Sequence, residues 1–392
     1  MTTTTAFTTT GRDLLRALEV TKGAAARRPS MPCLAGTLIR TTADGVTLTQ
    51  FDYTTVVMVD LNTTHVTPGL NLLIHRDTLV ATLKALRSTV TAKTADAMPV
   101  SLLLDTDGPA LEFGGYTMPL EALPADEYPT IPAPPEAVAR FDTAEYTNAL
   151  ARVTPAAGTD DTLPMLIGAH LRIDKDGSAR LEATDRYRFA IAPLTPQGNA
   201  MPGSYLLPAK ILTSVAKHLS GGTVEFLSDE HSVASGPKVF YGRGGLRADG
   251  ITLVTQDIGT EYVTLGDSMA ATATQGSITV SRTALAKALK TVGKLTRTTV
   301  LRTHGTGLEV APYNALPGRR ATAPPLDAEF SGEPHAERLV TVAYLADAVR
   351  AFTSDRITLH HAPGRCMVLT TEGEQPDDSS VYRHLVMGLR EC

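Results

Sequence analysis

Thr10-Gly11-Arg12-Asp13-Leu14-Leu15-Arg16-Ala17-Leu18 has two echoes in this chain, Asp142-Thr143-Ala144-Glu145-Tyr146-Thr147-Asn148-Ala149-Leu150 and Ser281-Arg282-Thr283-Ala284-Leu285-Ala286-Lys287-Ala288-Leu289. The spacing is about 135 residues, a period that suits one domain apiece. Each copy opens on Thr10, Asp142 or Ser281, whose side-chain oxygen can satisfy an orphan backbone N–H of the first helical turn. Each follows a short β-like lead-in carrying Phe7, Phe141 or Ile278. The pattern predicts three helices in equivalent places.

A second helix recurs in the same relative position. Leu73-Ile74 leads to Leu79, Leu83 and Leu86; Leu206-Leu207-Pro208 leads to Ile211, Val215 and Leu219; Val340-Thr341-Val342 leads to Leu345, Val349 and Phe352. This spacing lays an apolar stripe on one face, so each helix covers a core. Between the helices the chain reads as β-branched strands. Thr37–Arg40, Val46–Gln50 and Thr55–Val59 are split by Asp44-Gly45 and similar turn residues. His170–Ile173 and Ala179–Ala183 flank Asp176-Gly177, and Val300–Thr303 and Gly307–Val310 flank Gly305-Thr306. A proline-dense stretch, Leu123 to Pro135, closes the first repeat, and Gly259-Thr260-Glu261-Tyr262 echoes it after the second. The expected class is α+β, with domains at 1–137, 138–272 and 273–392, each two helices on antiparallel sheet.

The 392 residues carry 43% hydrophobic and 20% charged side chains, a globular composition with room for three cores. Net charge is −5, which argues only mildly against a nucleic-acid partner, because it ignores where basic groups sit. Cys33, Cys366 and Cys392 are odd in number and unpaired in spacing. They predict neither a disulfide framework nor a structural zinc, and a reducing cytoplasm is the expected location. The Thr-rich start lacks the basic and apolar regions of a secretory signal, and no run reaches transmembrane length.

Charge is uneven on the helices. Lys287, Lys290 and Lys294 share one face while Leu285, Leu289 and Val292 take another. Arg12, Arg16, Lys84, Arg87, Arg152, Lys210, Lys217 and Arg350 extend the pattern, whereas acidic residues there are few: Asp13, Asp77, Glu145 and Asp347. For any single helix the plain explanation is a solvated face. Repeated over equivalent helices turned to one axis, such faces would attract phosphates without reading bases.

Several stretches resemble the bacterial DNA polymerase III β sliding clamp family. They are Arg28-Pro29-Ser30-Met31-Pro32-Cys33-Leu34, Asp161–Leu166, Ala183-Thr184-Asp185-Arg186-Tyr187-Arg188-Phe189-Ala190, Leu206–Lys210 and Val342–Val349. Their order and repeat positions carry the resemblance over nearly the whole chain. It implies three repeated clamp domains, a head-to-tail homodimeric ring around double-stranded DNA, and no catalysis or cofactor. Arg28 matches a DNA-facing arginine, while two aromatic DNA contacts of some members fall on Pro164 and Met165. The resemblance also implies a pocket for short linear peptides of the polymerase III alpha subunit, the clamp loader and repair proteins. By position the pocket would comprise Leu166, Thr184, Arg186, Tyr187, Arg188, Phe189, Thr260, Thr264, Leu265, Met387, Gly388, Leu389 and Arg390.

The chain departs from the family at Gly388, where the tail usually has proline, and at Thr260 and Thr264, where proline and arginine usually form a wall. These departures suggest a second reading: a specialised duplicate clamp whose altered pocket evades a peptide inhibitor. An enzyme is the reading from another class. His360-His361 would point to opposite faces of a strand, Asp160-Asp161 reads as a turn, and no Walker loop, G-x-S-x-G or H-E-x-x-H motif occurs. A monomeric peptide-binding scaffold is the remaining rival.

Overall fold

Alternating β-branched residues and short glycine turns produce long antiparallel sheets, and capped amphipathic helices cover them. The structure, a computed structural model, describes residues 3–25, 28–229, 242–259, 262, 274–305, 307–313, 319–332, 337–361 and 366–389. Its helices are α1 (Gly11–Thr21), α2 (Arg76–Arg87), α3 (Ala92–Ala97), α4 (Thr143–Val153), α5 (Ala209–Ala216), α6 (Arg282–Val292) and α7 (Val342–Arg350). Thr10 caps α1: its hydroxyl oxygen accepts the Asp13 N–H at 3.1 Å and its proton goes to the Asp13 carboxylate at 2.9 Å. Ser281 caps α6 in the same way through the Ala284 N–H at 3.4 Å.

The predicted stripes are buried on α2 (Leu79, Leu83, Leu86) and on α7 (Leu345, Val349). Two members of the stripes lie beyond their helices. α5 ends at Ala216, so Leu219 follows it half-buried, and Leu212 shares the inner face with Ile211 and Val215. Phe352 is buried two residues past the end of α7. The short helix α3 was not foreseen; it lies so close to the start of α1 that a Cβ on Gly11 would strike the Ala95 carbonyl.

The described chain forms two compact units, Met1–Thr143 with Ile211–Asp257, and Ala144–Lys210 with Ile258–Cys392. The first contains a five-stranded sheet and a nine-stranded sheet. In the nine-stranded sheet, Thr55–Leu61 pairs with Ile251–Gln256, from Thr55 opposite Thr255 to Val59 opposite Ile251. The two threonine hydroxyls meet at 2.9 Å across this seam. Gly245 pairs with Val254 deeper in the same sheet, where a Cβ would collide with the Leu253 carbonyl; glycine is required there by backbone approach.

The second unit contains a twelve-stranded sheet. Its own seam pairs Arg188–Leu194 with Arg383–Met387, setting Arg188 opposite Val386 and Phe189 opposite Leu385. A buried polar group stands nearby. Glu182 accepts from Arg180 Nε at 2.7 Å and lies 3.2 Å from His170 Nδ1, and the His170 ring stacks on Tyr262 at 4.2 Å. Burial alone would raise the Glu182 carboxyl, but His170 and Arg180 outweigh it and hold the group below the usual range.

Elsewhere in the unit, His384 and His360 are buried neutral. Burial, reinforced by the Arg188 and Arg152 charges, holds His384 down to about 3. Burial and the neighbouring His361 hold His360 down to about 4. Unfolded, both would titrate near 6.5. Below that pH the unfolded chain binds protons that the folded chain refuses, so stability falls as pH falls, by about 1.4 kcal/mol per pH unit for each fully coupled histidine. Urea midpoints should therefore drop from about pH 7 to about pH 5; a midpoint constant over that interval would contradict two buried neutral histidines.

Candidate functional site

The stretch Thr184-Asp185-Arg186-Tyr187-Arg188 folds into a tight Asx turn at the start of the seam strand. Asp185 Oδ1 accepts the N–H groups of Tyr187 at 2.9 Å and Arg188 at 2.8 Å. The Thr184 hydroxyl donates to the Arg188 carbonyl at 2.7 Å, and its oxygen accepts the Arg186 N–H at 3.1 Å. Arg186 takes φ of +78°, a left-handed conformation that side chains seldom adopt. The turn thus throws Arg186 and Tyr187 outward, and Tyr187 is 56% exposed.

Arg188 turns back and is buried. Its Nε donates to Asp185 at 3.0 Å and its Nη1 to Asp347 on α7 at 2.7 Å. Asp347 also holds Arg350 at 2.9 Å. The Arg188 guanidinium lies 4.4 Å from the centre of the Tyr344 ring, which stacks on Tyr187 at 6.0 Å with 20° between planes. Burial, with help from Asp185, raises the Tyr344 phenol above its ordinary value, so the ring stays neutral. Tyr344 and Asp347 were not among the residues expected here. Their signal was available: Leu345 and Val349 face the core, which leaves Tyr344 and Asp347 on the other side of the same helix.

The C-terminal strand closes the site. Met387 N–H donates to the Tyr187 carbonyl at 2.9 Å, and the Cys366 thiol donates to Met387 Sδ at 3.0 Å. Gly388 is buried, and Leu389, 38% exposed, donates its N–H to Leu339 at 2.8 Å. Phe189 and Thr184 are buried: Phe189 packs with Ile191 and Val368, and Thr184 holds the turn. Leu166 is buried just before Gly168–Ile173, a strand two places removed from Arg188–Leu194 in the sheet. Thr260, Thr264, Leu265 and Arg390 lie outside the described residues. Tyr187 stacks on Tyr344 beside the exposed Arg186, and half-buried Met387 and exposed Leu389 follow at the end of the C-terminal strand. A recess of about 410 Å³ in the same unit, lined by Asn148, Arg152, Ser354, Glu374 and Tyr382 among others, includes none of these residues.

The basic side chains divide into two groups. Arg12, Arg28, Lys84, Lys210, Lys217, Lys287, Lys290 and Lys294 are exposed. The others are held by internal contacts. Arg16 donates to the His218 carbonyl at 2.9 Å. Arg87 pairs with Asp96 of α3 at 2.6 Å. Arg152 donates to the Ala351 carbonyl at 2.9 Å and lies 3.7 Å over the Tyr382 ring. Arg350 remains exposed but pairs with Asp347. Asp160 accepts from Thr162 N–H at 3.0 Å, forming the turn expected there. Among the described residues no group of three potential metal ligands gathers.

The geometry agrees with what comparison finds. Residues 5–132 match the N-terminal domain of the DNA polymerase III beta subunit, and residues 140–235 match its central domain. The beta sliding clamp homolog GriR of Streptomyces muensis is 34% identical over 207 residues, 52% of each chain. The beta sliding clamp of Streptomyces coelicolor is 32% identical over 197 residues, 50% of each chain. The chain thus spans about half the length of the curated relatives it matches. The fold extends further. The beta subunit of Thermotoga maritima superposes with a TM-score of 0.80 at 19% identity, covering 98% of this chain and 99% of the other. The Pseudomonas aeruginosa clamp bound to griselimycin gives 0.81 at 17% identity over the same shares. Adjacent matches to two successive domains, carried on a fold shared end to end with solved clamps, establish that the chain belongs to the DNA polymerase III beta subunit, or beta sliding clamp, family.

Proposed function

We propose that this chain is a DNA sliding clamp, a non-catalytic cytoplasmic processivity factor of three repeated domains that closes as a homodimer around double-stranded DNA. The observation that carries the reading is the pair of adjacent family matches over residues 5–132 and 140–235. The physics suits the task. A closed ring is retained by topology, so contacts with phosphate can stay weak and permit sliding. The exposed lysines of α6 supply such contacts without base recognition. A free sheet edge supports closure: Tyr116–Pro119 is the outer strand of the five-stranded sheet, wholly exposed, with Tyr116 and Met118 uncovered. Such an edge pairs readily with another chain. Loaded on nicked circular DNA, the protein should stay bound and run off once the circle is cut. The double variant Tyr116→Glu, Met118→Glu should lose that retention; equal retention on circular and linear DNA would refute the ring.

The Tyr187–Tyr344–Met387–Leu389 face is the proposed docking site for short peptides of the polymerase alpha subunit, the clamp loader and repair proteins. Stacked aromatic rings above a fixed salt bridge give an apolar anchor site with polar groups at its rim. A second reading, a specialised duplicate with an altered pocket, draws on the tail: Gly388 sits buried between Met387 and the Leu389–Leu339 hydrogen bond. Similarity to a clamp homolog, GriR, alongside an ordinary clamp is compatible with it. One calorimetric series tests both. A partner peptide should bind this chain and fail to bind Arg188→Ala, Met387→Ala, whereas unchanged affinity would remove the site. Griselimycin should bind this chain more weakly than the Pseudomonas aeruginosa clamp, and equal affinity would remove the duplicate reading.

A further inference from the structure

The recess beside α4 is built around an arginine that the internal repeat does not explain. Counted from the helix caps Thr10, Asp142 and Ser281, the positions equivalent to Arg152 are Val20 and Thr291. On α4, Glu145, Asn148 and Arg152 stand three and then four residues apart, so they share one face. Side chains distant in sequence but in the same unit meet that face. They are Ser354, which follows α7, Glu374, in the turn after Cys366–Thr371, and Tyr382. The cavity of about 410 Å³ is of the size that holds a ligand of several heavy atoms rather than a single ion.

Arg152 is held from three sides. Its Nε donates to the Ala351 carbonyl at 2.9 Å, its guanidinium lies 3.7 Å over the Tyr382 ring, and its own carbonyl accepts the Tyr382 hydroxyl proton at 2.9 Å. Tyr382 is buried and its oxygen meets His384 Nδ1 at 2.9 Å, so the platform is itself fixed. Among the described residues no carboxylate forms an ion pair with Arg152, and its two terminal nitrogens meet no acceptor. Burial lowers the guanidinium below its ordinary value, and Tyr382 and Glu374 offset this in part. A half-buried cation without a partner ion is costly, and a fixed guanidinium with its outer edge unused suits a planar anion. Ser354 Oγ is likewise enclosed without a hydrogen-bond partner among the described residues, while its carbonyl is anchored by Arg282 Nε at 2.8 Å. Two carboxylates complete the lining. Glu145 accepts the Thr195 N–H at 2.8 Å and Glu374 the Thr371 N–H at 3.0 Å, bonds that do not cancel their charge. The recess thus sets one cation beside two anions. A phosphate on Arg152 would be repelled by both glutamates, whereas one carboxylate accompanied by ammonium groups matches all three.

We propose that this recess binds the free C-terminus of a basic peptide, its carboxylate on Arg152 and its lysine ammonium groups on Glu145 and Glu374. A free amino acid suits it less well. Its α-ammonium adjoins the carboxylate and would be brought against the Arg152 guanidinium, where a peptide has a neutral amide. The probe is acetyl-Gly-Lys-Lys with a free carboxylate, titrated calorimetrically into the full-length protein at low salt. One peptide should bind per chain, and the C-terminal amide of the same peptide about tenfold more weakly or not at all. Arg152→Met keeps an unbranched apolar stem against Tyr382, so it should fold, and it should lose the preference for acid over amide. Glu374→Gln retains an acceptor for the Thr371 N–H and should weaken both peptides. Tyr187→Ala should leave the binding unchanged. Equal affinity of the wild type for acid and amide would overturn the proposal, since a net charge of −5 alone attracts lysines. Binding that Tyr187→Ala removes would overturn it as well, by placing the peptide elsewhere. Free L-lysine bound as tightly as the tripeptide would assign the recess to an amino acid and overturn the peptide reading. No binding at millimolar peptide would overturn the site outright.

Discussion

Antiparallel pairing between strands far apart in sequence is the interaction on which the rest depends. A strand leaves half of its backbone groups unpaired if its neighbour is missing, and buried unpaired groups are costly. Thr55–Leu61 finds its neighbour in Ile251–Gln256, and Arg188–Leu194 finds its neighbour in Arg383–Met387. These seams make each large sheet continuous across what the repeats mark as separate modules. They also decide where the tight turns stand. The Asx turn at Asp185 opens a seam strand and is fastened by the Met387 N–H of the partner strand. The display of Tyr187 is therefore a by-product of completing the hydrogen-bond ladder.

Electrostatics then sorts the cations into two roles. Arg188 is buried and bound on both sides by carboxylates, Asp185 and Asp347. Removing one partner of such a group leaves a charge uncompensated in a poorly solvated place, a loss of about 3–5 kcal/mol, although the intact pair adds little net stability. Its service is positional: it fixes the turn against α7 and keeps the Tyr187 ring on Tyr344. The exposed lysines of α6 contribute little to folding, and their charge is available to a polyanion whose attraction weakens with salt.

Local physics was legible in the sequence. Thr10 and Ser281 cap their helices, Leu79, Leu83 and Leu86 face inward, and Gly45 and Gly177 adopt positive φ in hairpin turns, because each depends on neighbours a few residues away. Long-range partners were not. Arg87 and Arg152 read as surface cations until Asp96 and Tyr382 are placed against them, and α3, which carries Asp96, has too short a period to stand out. The stripe expected to include Leu219 broke because α5 stops at Ala216. Of the proposed docking site, the family resemblance supplied Tyr187, Met387 and Leu389, while Tyr344 and Asp347 needed the packing of α7 to appear. Phe189 matched by position and packs with Ile191 and Val368.

The central claim is that two copies of this chain close on each other through exposed sheet edges. Light scattering coupled to size exclusion at micromolar concentration measures it most directly. The account predicts a single species of twice the 41.6 kDa chain mass. A species of one chain mass, unchanged as concentration rises, would contradict it.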